Sequence, residues 1–313
     1  MPTATASAKL LDPVLQIAQH SRQDLHALLS AAHLEQAETD KPGARIPASA
    51  FCRLLDELGQ RSGNDRIALR IGEATQPRML GSIGFLMTTA VDLQAAYQVL
   101  IDYLPLLFEG IHLQMEQRVD GTELILELEN SEERKTAEWF MACLLNWPRW
   151  ISGKQIPALK IELIYPAPAN TQAYERFFAS EIGYNADHNR LLIPSNYLKY
   201  PCLDANEEMH RLHLEFADNL LSLSGREGAL VAQIKSRIRQ GLTDAQGGIR
   251  REKIAADLNL SLRTFQRKLG KLNTSFQELY DQTRKELALQ QIQKGSASFG
   301  ELSFLLGFSN QSA

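Results

Sequence analysis

An α+β N-terminal domain followed by an all-α domain is the fold class the sequence predicts, and three observations carry it. The apolar residues switch between a period of 3.6 and a period of 2 up to about residue 222, and keep the helical period after it. The Ser/Gly cluster LLSLSGREGAL, Leu220–Leu230, separates two helical patterns and marks a boundary. Charge divides there too: residues 1–224 hold 19 Lys and Arg against 29 Asp and Glu (net −10), and residues 225–313 hold 14 against 8 (net +6). We therefore place the domains at residues 1–222 and 223–313. With 313 residues, 44% of them hydrophobic, the chain can fill two cores. An acidic body with a basic tail predicts that the tail meets a polyanion.

The elements follow in order. VLQIAQHSRQDLHALLSAAHL (14–34), PASAFCRLLDELGQRSG (47–63) and DLQAAYQVLIDYLPLLF (92–108) carry apolar residues at helical spacing. GIHLQMEQRV and TELILELEN then alternate about a turn at Asp120-Gly121, which predicts a β-hairpin. In AEWFMACLLNWPRWISG, the residues Trp139, Phe140, Cys143, Leu144 and Trp147 trace one apolar helix face, which reads as core rather than ligand box. ALKIELIYP and NRLLIPSNYL read as short strands, with a helix near TQAYERFFASEIG (171–183) between them. Beyond the boundary GALVAQIKSRIRQGL, REKIAADLNL, LSLRTFQRKLGKLNTSF, SFQELYDQTRKELALQQIQK and FGELSFLLGFSNQSA are all helical in pattern.

Several function classes find no support. No window approaches the roughly 18 apolar residues of a membrane span, and the N-terminus lacks a basic region ahead of an apolar core, so the expected location is the cytoplasm. Cys52, Cys143 and Cys202 are far apart and read as buried or partly buried thiols. His210 and His213 lie i, i+3 near Glu207, but without a fourth ligand they read as a surface helix, and no metal site is expected. Arg78 and Arg149 fit solvated or structural ion-pair roles better than an anionic ligand. GSIGF (81–85) lacks the Ser and Lys placements of a nucleophile elbow or phosphate loop. No carboxylate pair or Cys/His dyad suggests catalysis, so an enzyme and a cofactor are not expected. The residues of any effector pocket are not identifiable from the sequence.

The informative stretch is basic. IAADLNLSLRTFQRKLGK reads as two short helices, the first ending near Leu258 and the second starting at Ser261, whose hydroxyl can cap the first turn. Ile254, Ala255 and Leu258 give one apolar edge, and Phe265 with Leu269 the matching one. Their packing would turn Arg263, Gln266, Arg267 and Gly270 outward as one polar stripe, with Thr264, Lys268 and Lys271 beside it. A helix of that width fits the major groove, where Arg pairs with guanine and Gln with adenine. Gly270 removes bulk where a phosphate backbone would approach. Such a pair of helices predicts helix-turn-helix geometry, with the second helix as reader.

The run from Ile254 to IQK, followed by ELSFLLGFSNQSA, resembles the DNA-binding domain of AraC-type transcription regulators (the AraC/XylS family). That resemblance implies two helix-turn-helix units joined by one long helix. IGFLMTTAVDLQAAYQVLIDYLPLLFEGIHLQM and YPAPANTQAYERFFASEIGYNADHNRLLIPSNYL are similar to the regulatory domain of the subgroup with an arabinose-binding-type N-terminal region.

By that resemblance Arg263, Gln266 and Arg267 would read bases, while Ser261, Thr264, Lys268 and Lys271 would meet the DNA backbone. Asn273 stands where the family often has Gly, and Phe276, Leu279, Tyr280 and Leu287 would seat the connecting helix. The family pattern continues past GFSNQSA, so only Asn310, Gln311 and Ser312 of a second reading helix would remain. Leu302, Leu305, Leu306 and Phe308 would then lack packing partners, and DNA affinity would be weak and salt-sensitive.

The implied protein is a transcription regulator that binds promoter DNA, works with RNA polymerase, forms a homodimer and responds to an unidentified small effector. Its N-terminal domain would sense the effector and mediate dimerisation. The competing expectation is a ligand-binding or dimerisation module whose shortened C-terminus no longer binds DNA productively. A third, a DNA-alkyl-transfer fusion of AraC-type helices, would need clustered reactive cysteines that this sequence does not supply.

Overall fold

The computed structural model describes residues 4–34, 43–129, 133–168, 170–223, 227–243, 249–258, 260–272 and 274–294. The chain divides into two units, Met1–Ala217 and Asp218–Ala313. The division falls inside a helix, Glu207–Leu223, whose last residues overlap the Ser/Gly cluster Leu220–Leu230. The N-terminal unit is α+β, and the described elements of the C-terminal unit are all helical.

The N-terminal unit opens with β1 (Thr5–Ser7), which pairs antiparallel with β2 (Arg45–Pro47). Between them the single helical pattern of residues 14–34 becomes two helices, α1 (Leu11–His20) and α2 (Leu25–Ala31). Arg22 takes a left-handed φ of 53°, and the Asp24 carboxylate then accepts from Ala27 N at 3.1 Å to start the second helix. Next come α3 (Ala48–Ser62), α4 (Ile67–Ala74), α5 (Ser82–Thr88) and α6 (Leu93–Leu107). The expected hairpin is β3 (Ile111–Gln117) and β4 (Thr122–Leu128), with Asp120-Gly121 in its turn. Then follow α7 (Arg134–Ser152), β5 (Lys160–Leu163), α8 (Gln172–Phe178), β6 (Ile182–Tyr184) and β7 (Asn189–Ile193).

Five strands form one sheet in the order β3-β4-β7-β5-β6, antiparallel except for the β5–β6 pair. The helix expected near residues 171–183 spans Gln172–Phe178 and stops where Ala179 turns left-handed at φ 52°, after which Ile182–Tyr184 pair with β5.

The core of this unit gathers around α7. Trp139, Phe140, Cys143, Leu144 and Trp147 are all fully buried, as the apolar face predicted. Phe51 meets the edge of Trp139 with ring centroids 5.0 Å apart, and the Trp147 indole donates to Thr75 O at 3.0 Å. Each indole thus buries its rings and still satisfies its one donor. Arg149 donates twice to Ile156 O, at 3.1 and 2.8 Å, a bond to backbone rather than the ion pair or solvated position expected of it.

Helix α9 (Glu207–Leu223) carries the chain from one unit into the other and is tied to α5 by its first turns. His210 Nδ1 lies 3.1 Å from Leu86 O and 3.3 Å from Thr89 Oγ1, and the His213 ring stacks on Phe85 at 5.5 Å. A carbonyl only accepts, so His210 Nδ1 carries a proton and donates to it. Burial, and secondarily the neighbouring His213, lower the His210 pKa from the usual 6.5. The folded state therefore resists a proton that the unfolded chain takes up. Stability from this group is complete above about 6.5 and falls as pH drops from there toward the lowered value. Thermal melting at about pH 7.5 and about pH 5.5 should show a lower midpoint in acid, and a smaller fall in a His210→Gln variant. Equal falls in the two proteins would count against this account.

The C-terminal unit consists of α10 (Glu227–Thr243), α11 (Arg251–Asp257), α12 (Leu262–Lys271) and α13 (Phe276–Lys294) among the described residues. Leu230, Ile234, Ile238 and Leu242 of α10 pack with Ile254, Ala255, Phe265, Leu269, Leu279 and Leu287 into one core. Lys235 and Arg239 of α10 pair with Glu286 of α13 at 3.1 and 2.9 Å, and Arg237 pairs with Asp218 at 3.5 Å. These cations of α10 are engaged within the unit.

Candidate nucleic-acid interface

The basic stretch folds as a short helical pair. α11 ends at Asp257, with Leu258 as its cap residue, and α12 begins after Ser261. The Ser261 hydroxyl oxygen accepts from Thr264 N at 3.2 Å and donates to Thr264 Oγ1 at 2.9 Å. Such a cap stabilises a helix start by about 1 kcal/mol. The Leu260 N–H reaches back to Ala255 O at 2.8 Å, which closes the turn between the helices. A reciprocal cap sets the start of α13: Ser275 Oγ accepts from Glu278 N at 3.2 Å, and Glu278 Oε2 accepts from Ser275 N at 2.7 Å.

Burial splits α12 into two faces. Phe265 and Leu269 are 0% and 2% exposed and pack with Ile254 and Ala255 of α11, while Leu258 is partly buried at the edge of the same cluster. The Phe265 and Phe276 ring centroids are 6.2 Å apart, joining α12 to α13. On the opposite side Arg263, Gln266, Arg267, Lys268 and Gly270 are exposed. A Cβ built on Gly270 would meet nothing within 4 Å, so the helix surface there is open. Thr264 is only partly exposed, and its hydroxyl is occupied by the Ser261 cap.

Arg263, Gln266 and Arg267 thus lie on one outward face of one capped helix, with Lys268 exposed as well. The Lys271 side chain, Asn273, and the whole of 295–313 with Asn310, Gln311, Ser312 and the four apolar residues named with them lie outside the described residues. On α13, Leu279 and Leu287 are buried, and Phe276 and Tyr280 pack against the same core. Sequence reasoning passed over Arg250, Arg251 and Lys253, which are exposed at the start of α11. The run RREK carried that signal.

The chain's N-terminal part, residues 23–202, matches the family model described as the arabinose-binding domain of AraC transcription regulators, N-terminal. The chain belongs to that family. Among curated relatives, the ornithine utilization regulator of Pseudomonas aeruginosa is 28% identical over 319 residues, covering 100% of this chain and 91% of its own length. An uncharacterized HTH-type transcriptional regulator of Mycobacterium bovis is 21% identical over 304 residues, covering 91% of this chain and 84% of its own. Among solved structures, the transcriptional regulator CdpR from Pseudomonas aeruginosa superposes with a TM-score of 0.55 at 16% identity, covering 97% of this chain and 92% of that one. That likeness speaks to the fold. The AraC-type regulator described here is accordingly a DNA-binding transcription regulator with an effector-binding type of N-terminal domain.

The family and these relatives are regulators rather than enzymes. The cysteines of the regulator agree in their chemistry. Cys52, Cys143 and Cys202 are free and buried. Burial raises all three thiol pKa values, that of Cys202 to about 12, so none is poised as a nucleophile. Among the described residues no group of three His, Cys, Asp or Glu side chains could hold a metal, and no helix is long and apolar enough to cross a membrane.

Proposed function

We propose that α11 and α12 form a helix-turn-helix whose second helix enters the major groove of promoter DNA. Arg263, Gln266 and Arg267 read base edges, and Ser261, Thr264, Lys268 and Lys271 position the helix on the backbone. The observation that carries this is the division of α12: Phe265 and Leu269 are buried in the core and Leu262 packs against it, which leaves three long donor side chains free on the outer face. Arg250, Arg251 and Lys253 fit further phosphate contacts.

In this reading α13 joins this unit to a second one drawn from residues 295–313, where Asn310, Gln311 and Ser312 face DNA. Residues 1–222 sense a small effector and mediate homodimerisation, and residues 223–313 bind DNA in the cytoplasm. The bound regulator then presents a surface to RNA polymerase.

An operator selected from random duplexes tests the reading role. Arg267→Ala should weaken the selected operator about 10- to 100-fold while affecting random DNA much less, since a bidentate base contact is worth about 1–3 kcal/mol. Lys268→Ala should weaken both DNAs alike and lower the salt dependence by about one ion. Unchanged operator binding in Arg267→Ala would overturn the assignment and favour a module that acts through its N-terminal domain alone.

A further inference from the structure

Large apolar side chains left in water gather at one place in the N-terminal unit. On α9, Met209, Leu212 and Phe216 fall at i, i+3 and i+7 and are 43%, 50% and 55% exposed, so they form a stripe two turns long. It is not the side by which α9 is held. That side is made by His210, Leu214 and Ala217, with Ala217 fully buried and His210 bonded to α5. Phe85 of α5, itself half-exposed, borders the stripe, because its ring stacks on His213, one turn along from Met209. Val91 and Leu203 lie beside the head of α9, where Asp92 bridges to Pro201 and Asn206 N bonds to Thr89 O at 3.1 Å.

Of the ten large hydrophobic side chains exposed among the described residues, these are six, so the patch is not the single scatter of an ordinary surface. It bares on the order of 500 Å², at the upper end of what a monomer leaves uncovered without use.

Charge selects what covers it. Leu212 stands between Glu208, one turn before it, and Glu215, one turn after; both are exposed, and neither carboxylate is bonded to a described residue. Arg211 falls about 160° around the helix from Met209 and is turned away from the stripe. The surroundings are acidic as well, since residues 1–224 carry a net −10.

We infer that this face of α9 docks an amphipathic helix of another protein. Its apolar residues, at the same i, i+3 or i+4 and i+7 spacing, lie along Met209, Leu212 and Phe216, and its flanking Lys or Arg side chains meet Glu208 and Glu215. A helix fits because the stripe runs for on the order of 10 Å and such rows pack ridge into groove. An extended strand has no edge to join, since the backbone N–H groups of α9 are engaged within the helix. A second copy of this chain would bring the same carboxylates and the same net charge, and an anionic lipid surface would be repelled by both. The proposal is independent of how α12 meets DNA.

The probe is an acetylated and amidated helical peptide of about 14 residues built from Leu and Lys at those spacings, titrated into the full chain, with a twin in which every Lys is Gln. The Lys peptide should bind, and the Gln twin at least about tenfold more weakly. Leu212→Ser and Phe216→Ser should each weaken the Lys peptide at least about tenfold. Glu208→Gln combined with Glu215→Gln should weaken it about three- to tenfold and flatten its dependence on salt. Melting midpoints should hold, because these side chains are exposed; the Gln pair, which removes no apolar contact, reads the proposal even where a Ser variant melts early. Val119→Ser, which removes a fully exposed apolar side chain from the turn between β3 and β4, should bind the peptide as the wild type does.

No binding of the Lys peptide, equal binding of the two peptides, wild-type affinity in both Ser variants, or the same loss in Val119→Ser would overturn the proposal. Sedimentation decides between the other occupants. Self-association that Phe216→Ser abolishes would assign the face to a second copy, and Phe216-dependent flotation with phosphatidylglycerol vesicles would assign it to lipid; either result overturns the helix.

Discussion

Replacing Phe265 by Ala is expected to remove about 3–5 kcal/mol from the stability of the C-terminal unit and to abolish operator binding. The ring is 0% exposed and sits where α11, α12 and α13 meet, beside Ile254, Leu269 and Phe276. Truncation loses the transfer free energy of the ring and leaves a cavity that α11, α12 and α13 can close only by moving. A loss of that size is a large share of the roughly 5–15 kcal/mol that a whole domain commands. Calorimetry should resolve the effect because the chain forms two units: the transition of the C-terminal unit moves and that of the N-terminal unit stays. Arg267→Ala, on the exposed side of the same helix, should leave both transitions in place while it weakens the operator. A cost below about 1 kcal/mol for Phe265→Ala would place the ring at the rim of the core.

The contrast between those two substitutions explains why this part of the molecule was legible in the sequence. In α12 local and tertiary requirements coincide. Ser261 starts the helix, Phe265 and Leu269 repeat at one-turn spacing with Leu262 packed against the same core, and the other long side chains are polar, so one short window states both the fold and the face. The hairpin of β3 and β4 and the apolar face of α7 were readable for the same reason.

What stayed hidden depends on partners distant in sequence. β6 has three residues and exists because β5 lies beside it, so its sequence continues the pattern of α8 without a local sign of the change. β1 and β2 are as short and pair across nearly the whole first helical region. Glu138 lies within the helix whose apolar face is plain, yet its burial depends on Arg134 from the preceding turn and on Tyr174 from α8. No periodicity encodes that arrangement. The exposed polar face of α12 was therefore visible early, and the buried polar cluster around Glu138 was not.

Glycines show the same dependence on distant partners, and they give a prediction in which one substitution changes sign between two helices. In an exposed helix interior Gly→Ala gains about 0.5–1 kcal/mol, because Ala restricts the unfolded chain and favours the helix. Gly270 in α12 meets these terms: a Cβ there has nothing within 4 Å. Gly270→Ala should raise the melting midpoint of the C-terminal unit, and it should weaken DNA binding if the backbone of the duplex passes over this position. Gly84 in α5 is also helical, but a Cβ there would fall on the carbonyl of Pro77, with its carbon at 2.6 Å and Arg78 N at 3.4 Å. Backbone cannot rotate aside as a side chain can, so either α5 or the turn Pro77–Leu80 must shift. Overpacking of that kind costs about 1–3 kcal/mol or more, which outweighs the helical gain. Gly84→Ala should therefore destabilise the N-terminal unit by about 2 kcal/mol net. The cost falls on α5, whose Leu86, with Thr89 just after its end, holds His210 at the head of α9, so the substitution should also loosen that attachment. Faster amide exchange at the start of α9 would record the loosening, and a Gly84→Ala protein that melts at or above the wild-type temperature would show that α5 and Pro77 do not approach this closely in solution.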